Sequence, residues 1–151
     1  MSKLLPAMVG GILVAGVAIM YFQAQAPSTG HIMTPPDTTE LAQGDPIVTV
    51  KVPDVLSSEA TIGKRAFDAK CAVCHGQNAT GQNGVAPPLV HKIYEPSHHG
   101  DMSFVMAAKN GVTSHHWNFG NMPPIEGLTE ADVKYIANYI RSLQKENGIF
   151  K

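Results

Sequence analysis

Cys71-Ala72-Val73-Cys74-His75, near the middle of the 151-residue chain, contains both of its cysteines. C-x-x-C-H is the attachment signature for c-type haem, and the spacing has a physical reason. Two thiols three positions apart can reach two vinyl groups on one porphyrin edge and form thioethers. The adjacent imidazole then swings beneath the macrocycle to bind iron. Two other readings compete. A structural zinc site needs four ligands, normally a second Cys or His pair, which the seven histidines leave open. A thioredoxin-like redox pair expects a βαβ context, and no strand pattern surrounds this segment. The haem reading fits best.

Outward from the motif, the pattern is helical on both sides. Ser57 or Ser58 can cap a helix with Glu59 in its first turn. Ile62, Ala66 and Phe67 recur at helical spacing and lead into Cys71. A second helix starts at Asp101 as N-cap, runs through Phe104, Val105 and Ala108, and stops at Asn110-Gly111. Thr129-Glu130-Ala131-Asp132 is a capping-box signature, with Leu128 and Val133 placed for a hydrophobic staple. Val133, Ile136, Ala137, Ile140 and Leu143 then form one apolar stripe. Between the first two helices lies a Gly/Pro/His-rich stretch, residues 76–100. The fold class is all-α, and the compact part, 57–151, is small enough that a large cofactor in its core would help it fold.

A haem iron needs a second axial ligand. After His75 the candidates are Met102, Met106 and Met122, with His91, His98, His99, His115 and His116 as alternatives. Met102 and Met106 stand four apart on the second helix, where core packing explains them. Met122 lies in Phe119-Gly120-Asn121-Met122-Pro123-Pro124, just before the capped helix. Prolines remove backbone freedom, and a rigid loop presenting a soft thioether suits iron that must not reorganise on electron transfer. Met122 is the expected ligand.

Residues 63–143 resemble a class I cytochrome c, the small monohaem family of bacterial periplasms and mitochondria. The matching motifs are Gly63-x-x-x-Phe67, Cys71-x-x-Cys74-His75-Gly76, Pro87-Pro88-Leu89, Asn121-Met122-Pro123 and Tyr139-Ile140. The resemblance implies one haem c, attached through Cys71 and Cys74, with His75 as proximal and Met122 as distal ligand. It implies that the Pro87 carbonyl accepts the His75 ring N–H, that Leu89 packs on the haem, and that Gly63 lets the last helix cross the first near Phe67 and Tyr139. The mitochondrial form's long loop with a mid-chain Trp is absent. Trp117 stands only five residues before Met122, so that family role does not transfer, and the haem edge is its expected packing place.

The N-terminal part has a different character. Residues 4–22 are apolar with no charge after Lys3, and as a helix they span about 28 Å, close to the ~30 Å hydrocarbon core of a bilayer. Ala24-Gln25-Ala26 looks like a signal-peptidase site. Against cleavage stand a run longer than the usual h-region and Pro27 directly after the cut. The expectation is an uncleaved transmembrane anchor over 1–26, the positive end cytoplasmic and the remainder exported. Five of the eleven prolines fall between residues 27 and 56, which reads as a semi-flexible tether. Thirty such residues reach roughly 100 Å fully extended and about 30 Å as a coil. Whether Ile47 to Val52, which alternates like a strand, lies across the haem domain stays open. With tether and anchor, the chain resembles the membrane-anchored cytochromes c of proteobacteria.

Eleven basic residues against twelve acidic, a net charge of −1, argue against nucleic-acid binding. Residues 57–151 carry nine basic and eight acidic side chains, so no positive docking ring is evident. The pairs His98-His99 and His115-His116 read as loop histidines bonded to propionates or water, with a copper or zinc site as the sharper alternative. Ligation by His and Met leaves no open iron position. The resemblance therefore implies a one-electron carrier of the inner membrane's periplasmic face, not an enzyme, with no small-molecule substrate. Its partners would be a cytochrome bc1 complex and a terminal oxidase or photosynthetic reaction centre. A haem-bearing subunit of a membrane oxidase or periplasmic dehydrogenase is the alternative. A peroxidase or gas sensor, which needs Met122 to dissociate, fits least.

Overall fold

Ser57 opens the first helix, its Oγ accepting from the Ala60 N–H at 3.1 Å. Helix α1 then spans Ser58–Lys70 in the computed structural model, which describes residues 34–150. One further turn, α2, covers Ala72–His75. Helix α3 spans Asp101–Asn110 and α4 spans Glu130–Glu146. Short 3-10 turns lie at Gln77–Ala79 and Lys92–Tyr94. Among the described residues there is no strand, only the isolated bridge pairs Gln82 with Ala86 and Val112 with Met122. The architecture is all-α.

Helix α4 begins with the expected capping box. Thr129 Oγ1 accepts from the Asp132 N–H at 3.2 Å, and the Asp132 carboxylate accepts from the Thr129 N–H at 2.9 Å. Leu128 packs with Val133 against Val105 and Ala108, as a staple would. The stripe of Val133, Ile136, Ala137, Ile140 and Leu143 is buried throughout. Tyr139 and Gln144 are buried beside it. The Gln144 amide is satisfied: Nε2 donates to the carbonyls of Leu89 (2.8 Å) and Tyr94 (3.0 Å), and Oε1 accepts from Arg141 at 2.6 Å. An unpaired amide there would cost about 1–3 kcal/mol.

Helices α1 and α4 cross at Gly63, where a Cβ would stand 1.8 Å from the Tyr135 carbonyl oxygen. Only glycine permits that approach. Next to the crossing the Phe67 and Tyr139 rings meet at 5.6 Å, tilted by 59°, and both are fully buried in the main core with Ile140 and Leu143.

Three details depart from the sequence expectations. Ile62 is 38% exposed, and the inward face of α1 is Ala60, Gly63 and Phe67. The glycine crossing sets that face, and one residue turns a helix by about 100°, which carries Ile62 outward. Gly100, not Asp101, is the N-cap of α3; the Asp101 carboxylate instead accepts from Arg141 Nε at 2.8 Å. Met102 and Met106 are 52% and 51% exposed, so core packing does not explain them.

The tether expected over 27–56 is corrected from about residue 38 onward, because that stretch is docked. Asn83 donates from Nδ2 to the Leu41 carbonyl (2.8 Å), and its backbone exchanges bonds with Gly44 (2.9 Å) and Asp45 (2.8 Å). Ile47 and Val48 both donate to the Thr80 carbonyl at 3.2 Å. Asn147 at the end of α4 pairs with both backbone groups of Lys51, at 3.0 and 2.8 Å. Val50 and Leu56 pack on the main core. This strap lies within one compact unit with the helices. Among the described residues no helix is long and apolar enough to cross a membrane, and the anchor expected over 1–26 lies outside them.

Candidate haem site

A cavity of about 310 Å³ opens beside α4 and is lined by Cys71, Cys74, His75, Pro87, Leu89 and Met122, all six residues expected at the site. Its volume lies in the range of about 300–1,000 Å³ typical of ligand pockets. Phe104 and Ala108 of α3 and Val133, Ile136 and Ile140 of α4 complete an apolar wall, and among the described residues Lys70 is the single lysine, arginine or carboxylate residue in the lining. The apolar stripe read from α4 thus serves two surfaces, the helix packing and the cavity.

The Cys71–His75 segment is set by helix geometry. Cys71 closes α1, donating its N–H to the Phe67 carbonyl at 2.8 Å, and accepts from the His75 N–H at 2.9 Å. Gln82 Nε2 donates to the Val73 carbonyl at 2.9 Å and fastens α2 to the following loop. His75 is buried, and its Nδ1 stands 2.8 Å from the Pro87 carbonyl oxygen. A carbonyl can only accept, so Nδ1 carries the proton and Nε2 keeps its lone pair. Burial holds His75 below the ordinary imidazole range, an effect the Pro87 bond only partly offsets. The ring is the neutral form that binds metals. Burial, with the neighbouring Cys74 second, pushes the Cys71 thiol up to about 11. Redox-active C-x-x-C cysteines have depressed thiol pKa values, the opposite direction from Cys71.

Met122 comes to the cavity by a device the sequence reading missed. Met122 and Val112 exchange both backbone hydrogen bonds, at 2.9 and 3.0 Å. Gly111, φ +73°, lies so close that a Cβ on it would stand 2.5 Å from the Met122 carbonyl oxygen. Ile125 donates to the Ala108 carbonyl at 2.8 Å. The loop is therefore clamped to the C-terminal end of α3, in addition to the stiffness of Pro123-Pro124. Asn110-Gly111 had a sequence signal, but only as a helix stop. Met102 and Met106 do not line the cavity.

Trp117 lines the cavity, and its ring packs edge-on to His91 and stacks on Phe119. Its Nε1 is the single buried side-chain polar atom without a hydrogen-bond partner among the described residues. Burial raises the Tyr94 hydroxyl above its ordinary range, and a side-chain interaction of hydrogen-bonding kind with Trp117 partly offsets this, although no bond of full hydrogen-bond geometry forms between them. A buried N–H facing a cavity needs an acceptor, and a haem propionate would supply one. His115 and His116 also line the cavity. They lie next to His98 and His99, not in a separate loop environment.

The thiol pair, the buried neutral imidazole, the thioether, the apolar wall and an indole N–H short of a full hydrogen bond together fit a haem. Residues 60–144 match the family described as cytochrome c. The chain is 31% identical over 96 residues to cytochrome c-554(547) of Halothiobacillus neapolitanus, a match covering 58% of this chain and all of that protein. No solved structure matches it. A family match running from the start of α1 to the last turn of α4, over the helices that build this cavity, makes the chain a member of the cytochrome c family, proteins of haem-based electron transfer.

Proposed function

We propose that the chain carries one haem c, joined to Cys71 and Cys74, and serves as a one-electron carrier between membrane redox complexes. His75 Nε2 and the Met122 sulfur would hold the iron. When bound, the haem supplies an Fe(III)/Fe(II) couple, raised in potential by His/Met ligation. The chain's own residues do the rest. Pro87 fixes the His75 tautomer, Leu89 and the α4 stripe exclude water, and the Val112 bridge keeps Met122 from swinging away. The observation that carries this reading is the meeting of Cys71, Cys74, His75 and Met122 in one cavity.

The proposed electron donor is a quinol-oxidising bc1 complex and the acceptor a terminal oxidase or reaction centre, with residues 1–26 anchoring the protein to the inner membrane and the haem domain periplasmic. Docking of the strap from about residue 38 onward shortens the proposed tether. Membrane fractionation after a high-salt wash tests the anchor: haem protein in the soluble fraction removes it.

The haem assignment is tested on denaturing gels stained for haem, where colour stays with the polypeptide if the thioethers exist. In the oxidised protein Met122→Ala abolishes the weak sulfur-to-iron band at the red edge of the spectrum, while Met102→Ala and Met106→Ala keep it. Loss of the band in either exposed-helix variant, with Met122→Ala normal, would transfer the ligand role.

A further inference from the structure

Two histidine pairs that the haem site leaves unused meet at one edge of the cavity. His98 and His99 follow a turn in which both backbone N–H groups donate to the Glu95 carbonyl, at 3.0 and 2.8 Å. Arg141 of α4 fastens this turn, donating to the carbonyls of Tyr94 (2.7 Å) and His99 and to Asp101 (2.8 Å). His115 and His116 sit on the Met122 loop, where the Ser114 N–H donates to Asn121 Oδ1 at 2.9 Å and the Ser114 hydroxyl to the Trp117 carbonyl. Both segments are held by bonds that do not involve the four rings.

The rings themselves converge. His98 Nε2 and His116 Nε2 stand 3.3 Å apart, and one nitrogen from each of His98, His99 and His116 lies within 4.8 Å of the other two. His99 Nδ1 is 2.6 Å from the Ile93 carbonyl oxygen, so it carries the proton and Nε2 is left to act as a ligand. His115 lies close by, its ring tilted by 50° to that of His116 with the centroids 4.4 Å apart.

We propose that His98, His99 and His116 form a transition-metal site beside the haem cavity, with the His115 ring adjacent. Zn(II) and Cu(II) are the ions whose shared chemistry it fits. Metal–nitrogen bonds of about 2.0–2.1 Å at a tetrahedral angle put two ligand nitrogens about 3.3 Å apart, the spacing of the His98 and His116 pair. An all-imidazole set selects zinc, copper, nickel or iron over magnesium and calcium, and copper(II) binds such sets most tightly. The Ile93 carbonyl behind His99 is the outer partner that metal-binding histidines ordinarily have. A plain ring-to-ring hydrogen bond would explain two of these histidines but not the third, whose own proton is committed to Ile93.

The test uses the full chain, purified without a polyhistidine tag and treated with chelator, in equilibrium dialysis against Zn(II) and separately Cu(II). One ion per chain is expected, and the Cu(II) form should show coupling to several nitrogens by electron paramagnetic resonance. His98 is exposed, so His98→Ala leaves the fold intact by circular dichroism while weakening binding by more than the roughly 10–100-fold that losing an outer-shell contact costs. The His98→Ala/His116→Ala double variant should bind neither ion. Equal binding by wild type and double variant, or no saturable binding by wild type, overturns the site. Because the readout is bound metal, it stands apart from the haem assignment.

Discussion

The α1–α4 crossing and the Met122 loop both bring distant parts of the chain together, by opposite means. At the crossing, helix backbone meets helix backbone at Gly63, and Phe67, Tyr139, Ile140 and Leu143 bury fully around it. The loop is held by a pair of backbone bonds to Val112, the Ile125 bond to Ala108, a glycine with positive φ, the Ser114 hydroxyl donating to Trp117 and the Asn121 side chain accepting from the Ser114 N–H. Apolar burial of large side chains is worth about 1.5–3 kcal/mol each, against about 0.5–1.5 kcal/mol for a net hydrogen bond. The crossing is therefore the stability of the domain. The loop is a lower-stability unit that decides which side chain the cavity receives. Changes at the first should unfold the chain, and changes at the second should alter the site within a retained fold.

The strongest way to break this contrast is Gly63→Ala. Alanine would gain about 1 kcal/mol of helix propensity, but its Cβ would lie 1.8 Å from the Tyr135 oxygen, so the helices must separate. Overpacking costs of about 3 kcal/mol or more are expected, with loss of the cooperative thermal transition or a sharply lowered midpoint by circular dichroism. A midpoint within a few degrees of wild type would show that the crossing is not the keystone.

A smaller effect is expected from Gly111→Ala. At φ +73° an alanine is strained, and its Cβ would meet the Met122 carbonyl at 2.5 Å. Strain of this kind costs about 1–3 kcal/mol. The helices and the covalent haem should survive, whereas the sulfur-to-iron band expected from the proposed Met122 ligation should weaken as the bridge to Val112 opens. Unfolding as complete as that of Gly63→Ala would mean that the loop belongs to the same cooperative unit as the crossing.

The two regions also differ in how far the sequence discloses them. The α4 cap and stripe were legible because Thr129, Asp132 and the apolar residues act through local spacing, and Cys71–His75 was legible because five adjacent residues carry one chemistry. Ile62 was misread because helical periodicity does not say which face a glycine crossing selects. The meeting of Gly111 and Val112 with Met122 had no local signal, since the partners lie ten residues apart and pair through backbone atoms that every residue possesses. The same holds for the histidine pairs, whose convergence depends on Arg141 drawing one loop onto α4. The strap was misread for a related reason: its proline-rich composition describes a chain without internal bonds, and the bonds that hold it come from Asn83 and Asn147 far along the sequence.

The smallest expected effect sharpens the contrast by applying it to the strap, which is held chiefly by polar bonds. Asn147→Ala removes both bonds to Lys51, at 3.0 and 2.8 Å, and a third from Nδ2 to the Leu143 carbonyl at 2.8 Å. The Lys51 side of this contact is exposed, so water replaces much of what is lost, and a destabilisation of about 1 kcal/mol follows. Hydrogen exchange should then quicken at the Lys51 amide. The Gly44, Ile47 and Val48 amides keep their bonds to Asn83 and Thr80 and should stay protected, as should the amides of α1 and α4. If the amides from Gly44 to Lys51 all open together, the strap is a single cooperative latch released by one asparagine. If none changes, the packing of Val50 and Leu56 on the core holds the strap, and burial outweighs polar clamping here as it does at the crossing.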